Sequence, residues 1–97
     1  MDKIIKIITV HPYQERTYTD KNGEQKVWKS KGFTFKHGKS QFYAEADGNV
    51  AEALKDFYPN DGREYVAYVT MHVREYTDAS GVKRFINEIR LDKLVDL

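Results

Sequence analysis

Cysteine is absent from this chain, so disulfides and thiolate metal sites are excluded and nothing points to an oxidising compartment. Long apolar runs are absent too, and none approaches the roughly eighteen residues that span a bilayer. The N-terminal segment, Met1-Asp2-Lys3-Ile4-Ile5-Lys6-Ile7-Ile8, is too short and too interrupted by charge to serve as a secretory signal. A soluble, cytoplasmic protein with no membrane association is expected. Catalytic signatures are equally scarce, with no Walker loop, nucleophile elbow or Gly-rich dinucleotide fingerprint. His11, His37 and His72 share no ligand spacing, and no short-spaced cluster begins a metal site. Asp20 and Asp78 could in principle meet over a divalent cation, but both sit where an aspartate caps a turn. No metal, no cofactor and no enzymatic activity is expected.

What remains is a chain of 97 residues, 40% apolar, enough for one small core and a single domain over 1–97. Its net charge of +1 conceals an uneven distribution. Between Lys21 and Phe42 stand six lysines (Lys21, Lys26, Lys29, Lys31, Lys36, Lys39) against one acid, Glu24, so the rest of the chain is acidic. Such asymmetry suits an anionic partner at one surface, although lysines also protect edge strands from aggregation.

Strand patterns dominate. Ile4–Val10 is a β-branched run; Val27–Lys36 and Ser40–Asp47 carry nearly alternating aromatics. In 65–76 Tyr65, Ala67, Val69, Met71 and Val73 share one face, opposite Val66, Tyr68, Thr70, His72, Arg74 and Tyr76. Val82–Leu91 completes five strands. Lys36-His37-Gly38-Lys39 is a tight turn. Parity puts Trp28 and Ser30 on the face opposite Phe33 and Phe35 unless a bulge at Gly32 reunites them, and the pattern leaves both arrangements open.

One helix interrupts the strands. Asn49 is a candidate N-cap with Glu52 completing a capping box, and Val50, Ala53, Leu54 and Phe57 form one apolar stripe. Pro59 ends it, and Asn60-Asp61-Gly62 turns back toward the next strand. The order β-β-β-α-β-β predicts an all-β fold with one helix, a five-stranded Greek-key barrel of the oligonucleotide-binding type. An SH3-like barrel and a split sheet under one helix are the alternatives.

Two connections repeat. Tyr18-Thr19-Asp20-Lys21-Asn22-Gly23 and Tyr76-Thr77-Asp78-Ala79-Ser80-Gly81 share Tyr-Thr-Asp-x-[Asn/Ser]-Gly, each followed by basic residues and a strand. Turn chemistry alone accounts for the pattern, and arms that grip a ligand account for it equally.

From Gly48 to Leu91 the chain resembles the bacterial single-stranded DNA-binding proteins. The resemblance is carried by Asn49-Val50-Ala51-Glu52-Ala53-Leu54, by Arg74–Phe85 with its aromatic-Thr-Asp-x-Ser-Gly stretch, and by Glu88-Ile89-Arg90-Leu91. It implies an oligonucleotide-binding barrel, single-stranded DNA as partner, and Tyr76 where that family places a base-stacking aromatic. The family's long hairpin is reduced here to Lys36–Lys39, its Gly-Asn step after the first strand is His11-Pro12, and its acidic tail has no counterpart before Leu97, so the likeness is to a minimal version.

Single-strand binding needs cations along phosphates and aromatic faces under bases. The acid-free stretch Lys26–Lys39 interleaves both. The candidate phosphate contacts are Lys26, Lys29, Lys31, Lys36, Lys39, Arg74, Lys83 and Arg84; the candidate stacking residues are Trp28, Tyr43, Tyr68 and Tyr76. Phe33, Phe35, Phe42 and Phe57 read as core. Sequence-independent binding of single-stranded DNA, or of RNA, is the expectation, with self-association through strand Ile4–Val10 extending a short site. The alternative is a non-catalytic module that binds protein, its lysines serving solubility.

Overall fold

The computed structural model describes residues 1–59 and 62–97. Six strands and one short helix follow in the order β1 (Asp2–Val10), β2 (Gln14–Thr19), β3 (Gln25–His37), β4 (Ser40–Asp47), α1 (Gly48–Ala53), β5 (Glu64–Thr77) and β6 (Lys83–Asp96). The turn expected at Asn60-Asp61-Gly62 lies largely outside the described residues. Five of the strands close on themselves: β1 pairs with β3, β3 with β4, β4 with β6 in parallel, β6 with β5, and β5 with β1. β2 is added outside this ring, against the N-terminal half of β3.

β1 makes the closure possible by changing partners. Its Asp2–Lys6 half pairs with β5 and its Lys6–Val10 half with β3, with a register shift between Ile7 and Thr9 that bends the strand as a bulge does. Each edge of β1 is therefore paired over about half its length, which leaves less of it free than a candidate dimer edge would offer. Ile5 still points inward and is buried, whereas Ile4 and Ile8 remain exposed outside.

The core lies within the ring. Phe33, Phe35, Ala44, Ala46, Tyr65, Ala67, Val69 and Leu91 fill it, and Ala51 of α1 closes one side. Volumes are matched across neighbouring strands, since Phe33 is paired with Ala44 and Lys31 with Ala46. Phe33 and Phe35 stack at 5.6 Å, and Phe57 meets Tyr65 edge-on at 5.8 Å. Burying each phenylalanine contributes about 1.5–3 kcal/mol.

One point that the sequence left open is decided here, and two expectations are corrected. There is no bulge at Gly32, because the β3–β4 register runs without a shift from Ser30↔Asp47 to His37↔Ser40. Parity holds instead, with Lys31, Phe33 and Phe35 inward and Trp28 outward. Gly32 serves a close approach: a Cβ there would stand 2.7 Å from two carbons of the Tyr43 ring. The helix is also shorter than its stripe suggests. Its N-cap is Asp47, without a side-chain cap, and Glu52 pairs with Lys29 at 2.7 Å rather than closing a box with Asn49. Val50, Leu54 and Phe57 nonetheless pack on the core. Finally, there are six strands, not five. β2 is exposed along its whole length, so no apolar alternation announces it.

The radius of gyration, 15.5 Å, exceeds the roughly 13 Å of a compact chain this long. The excess comes from two ribbons that run past the ring: β2 with Gln25–Lys29, and Met71–Thr77 with Lys83–Asn87. Every residue of β2 is exposed, as is every residue of β5 from Thr70 onward. Among the described residues no helix is long and apolar enough to cross a membrane.

Candidate nucleic-acid interface

Each ribbon ends in the repeated loop, and the two loops are built alike. Asp20 Oδ1 accepts from the backbone N–H groups of Asn22 and Glu24 at 2.9 and 3.0 Å. Asp78 Oδ1 accepts from those of Ser80 and Val82 at the same two distances. Gly23 and Gly81 take φ of 79° and 80°, the left-handed region that a side chain disfavours. The repeat is thus explained by turn chemistry. The likeness also extends beyond the six repeated residues. A cation six positions after each aspartate folds back on it, Lys26 to Asp20 at 4.0 Å and Arg84 to Asp78 at 2.9 Å. In each ribbon that cation stands directly across from the tyrosine, Tyr18↔Lys26 and Tyr76↔Arg84. The Arg84 guanidinium, then the Val82 N–H, hold the Asp78 carboxyl below the usual aspartate range.

Between the ribbons' roots the outer surface of the sheet is concave. A cavity of about 640 Å³ is lined by Trp28 of β3, Tyr43, Glu45 and Asp47 of β4, His72 of β5, and Ile86, Glu88 and Arg90 of β6. Strand alternation continues this face into the ribbons, adding Arg16, Tyr18 and Lys26 on one side and Arg74, Tyr76 and Arg84 on the other. Trp28 is 37% exposed and Tyr43 50% exposed, and the Arg16 guanidinium lies 5.8 Å from the centre of the Trp28 ring. His11 meets the Tyr43 ring edge-on at 5.4 Å while its Nε2 shares a 3.0 Å hydrogen bond with Thr34 Oγ1.

The cavity is also acidic. The Tyr43 hydroxyl donates to Glu45 Oε2 at 3.2 Å. Burial, then the neighbouring Asp47, push the Glu45 carboxyl above its ordinary value. Asp47 Oδ2 meets Arg90 at 3.4 Å, while its Oδ1 is buried without a hydrogen-bond partner. Glu88 accepts from Arg74 and faces His72 at 3.0 Å, and the Arg74 bond holds its carboxyl low.

The predicted site residues divide accordingly. Trp28, Tyr43 and Tyr76 share this outer face with Lys26, Arg74 and Arg84. Tyr68 is on the outer surface of β5 but opposite Asp2 and Lys93, away from the cavity. Lys29 and Lys83 point to the other side, paired with Glu52 and Glu75. Lys36 and Lys39 are at the far end of the ring, where Lys36 lines a separate cavity of about 250 Å³ with Ile4 and Glu64. Lys31 is the clear correction. It is 0% exposed, and its Nζ donates to the carbonyls of Leu54, Lys55 and Phe57 at 2.7, 3.0 and 2.8 Å. It fastens the segment after α1 to the ring and has no reach to a phosphate outside. Burial pushes its pKa down.

His72, Arg90, Glu45, Asp47 and Glu88 were not among the candidates. The alternation of β5 already put His72 beside Arg74 and Tyr76. The alternation of β4 likewise put Glu45 and Asp47 on the Tyr43 face, but only the β4–β6 pairing brings Glu45 beside Arg90. Among the described residues no group of three or more His, Cys, Asp or Glu could hold a metal ion. No protein-family model matches the chain, and no curated protein matches it by sequence.

Proposed function

We propose that this chain is a barrel of the oligonucleotide-binding type that binds single-stranded DNA without catalysis, laying bases on exposed aromatics and phosphates against flanking arginine and lysine. The observation that carries the reading is the shared outer face, where Trp28 and Tyr43 line one concave surface and strand alternation continues it to the exposed Tyr76, with Lys26, Arg74 and Arg84 along the same ribbons. The closed pairing β1–β3–β4–β6–β5–β1, with α1 between β4 and β5, supports the barrel. The likeness of 74–85 to the hairpin of bacterial single-stranded DNA-binding proteins supports the ligand. RNA fits the same surface, since base stacking and phosphate contacts are common to both nucleic acids.

The test is a titration with a short mixed-sequence single strand, its duplex and the matching RNA, followed by Trp28 fluorescence and by anisotropy of the labelled strand. Quenching is expected, with weaker duplex binding and a log–log salt slope of about −3 for four phosphate contacts. Trp28→Ala and Tyr76→Ala should each weaken binding about tenfold. No binding at low salt, or equal affinity for duplex, would overturn the reading.

A protein-binding role is favoured by one observation. The inner face of the β5–β6 ribbon bears Met71, Val73 and Phe85, all exposed. This face, rather than β1, is where self-association would extend a short site. Sedimentation across a concentration series, with Phe85→Ser for comparison, tests that role.

A further inference from the structure

The groove is not the uniformly basic channel that phosphate contacts alone would require. The β3–β4 register puts two carboxyl groups between its aromatic walls: from Trp28 toward Tyr43 the successive outward rows are Ser30↔Asp47, Gly32↔Glu45 and Thr34↔Tyr43. Rows two residues apart are about 7 Å apart. A base stacked on either ring therefore has its edge beside Asp47 or Glu45. Gly32 allows the Tyr43 ring to lie over the backbone toward Glu45, and the hydroxyl bond to Glu45 Oε2 sets that orientation. Asp47 also lines the cavity, where it stands beside Glu45 and helps push that carboxyl above its ordinary value.

These carboxyls discriminate by chemistry. A carboxylate only accepts, and a protonated carboxylic acid donates once and accepts once. Cytosine, adenine and guanine each present an exocyclic amino donor, which fits the carboxylate; the protonated acid, donor and acceptor at once, would accommodate thymine as well. Thymine and uracil have no amino group, and the two carbonyl oxygens flanking their one N–H would be set against carboxyl oxygens. Single-strand binders usually owe their mild base preferences to stacking, whereas here an edge contact is available.

Resting on the single-strand reading above, we propose that the groove between Trp28 and Tyr43 is a base-edge site that selects bases carrying an exocyclic amino group over thymine and uracil, with Glu45 and Asp47 as the selecting groups. Arg90 holds Asp47 from the β6 side, while the ribbon cations take the phosphates on either flank.

The experiment compares oligo-dC with oligo-dT of equal length at one salt concentration and neutral pH, reading Trp28 quenching and anisotropy. Oligo-dC should bind at least about fivefold more tightly. In Glu45→Gln/Asp47→Asn the amides offer both a donor and an acceptor, so the ratio should fall to about one. Tyr76→Ala should weaken both strands and leave the ratio unchanged. Near-UV circular dichroism establishes that the variants fold, and Glu45→Gln alone, the milder change, should already lower the ratio. Equal or tighter binding of oligo-dT by the unaltered protein overturns the base-edge site while leaving single-strand binding intact. A ratio that survives in the folded double variant overturns the assignment to these carboxyls. Failure of both strands to bind overturns the single-strand reading and the inference together.

Discussion

The two ribbons have nearly the same tip and very different roots. Both end in an aspartate that bonds two backbone N–H groups, a glycine near φ +80°, and a cation folded back across from a tyrosine. The β2–β3 ribbon is then tied down: Lys29 reaches Glu52 of α1, and two residues further Lys31 is buried beneath the segment that follows the helix. Among the described residues nothing is packed behind the β5–β6 ribbon. Val73 and Phe85, 60% and 65% exposed, occupy its inner face with only the Glu75–Lys83 pair near the tip. A turn motif thus folds the same way in either setting, because its partners all lie within six residues. What a ribbon rests on is settled by strands distant in the chain.

The sharpest way to break this contrast is at the first root. Lys31→Met keeps the aliphatic stem but leaves three carbonyls without their donor, and should cost about 2–4 kcal/mol in urea unfolding. A loss no larger than that of an exposed lysine would mean that water replaces the ammonium there. Next is Gly32→Ala, which must displace the Tyr43 ring; about 1–3 kcal/mol is expected, together with weaker single-strand binding.

The equivalence of the tips is tested by Asp20→Ala and Asp78→Ala, each of which should lower the thermal midpoint by a few degrees. The Asp78 change should be the larger, since it also loses Arg84 at 2.9 Å. Its pH dependence has a definite sign. Asp78 titrates lower in the folded protein than in the unfolded chain, so its contribution is fully present above the ordinary aspartate value and is lost as pH falls through its depressed value. Urea midpoints measured across that acid range should converge for Asp78→Asn and the unaltered protein. The smallest effect belongs to the bare root: Phe85→Ser should change stability by less than about 0.5 kcal/mol, because little burial is lost. A large loss would show that the inner face is covered in solution.

Much of the ring was legible beforehand. The alternation of β5 named Tyr65, Ala67 and Val69 as inward, and the β3–β4 turn at Gly38 stands as read. Met71 and Val73 obey the same alternation but are exposed, since β5 has left the ring by then and parity carries no information about what faces it. Lys31 departs from expectation for a related reason. Composition groups it with its lysine neighbours, while parity alone puts it in line with Phe33 and Phe35. The capping box failed where Glu52 found a stronger partner in Lys29, 23 residues away.

Local chemistry in the sequence therefore determined the strand periods, the two Asp–Gly loops and the aromatic and basic character of the outer face, because those depend on alternation and on bonds between near neighbours. Tertiary structure alone decided that β1 divides its two edges between β3 and β5, that Lys31 is fastened to the carbonyls after α1, and that the β4 carboxylates meet Arg90 of β6. Each of these depends on contacts between segments far apart in the chain, and no local pattern encodes them.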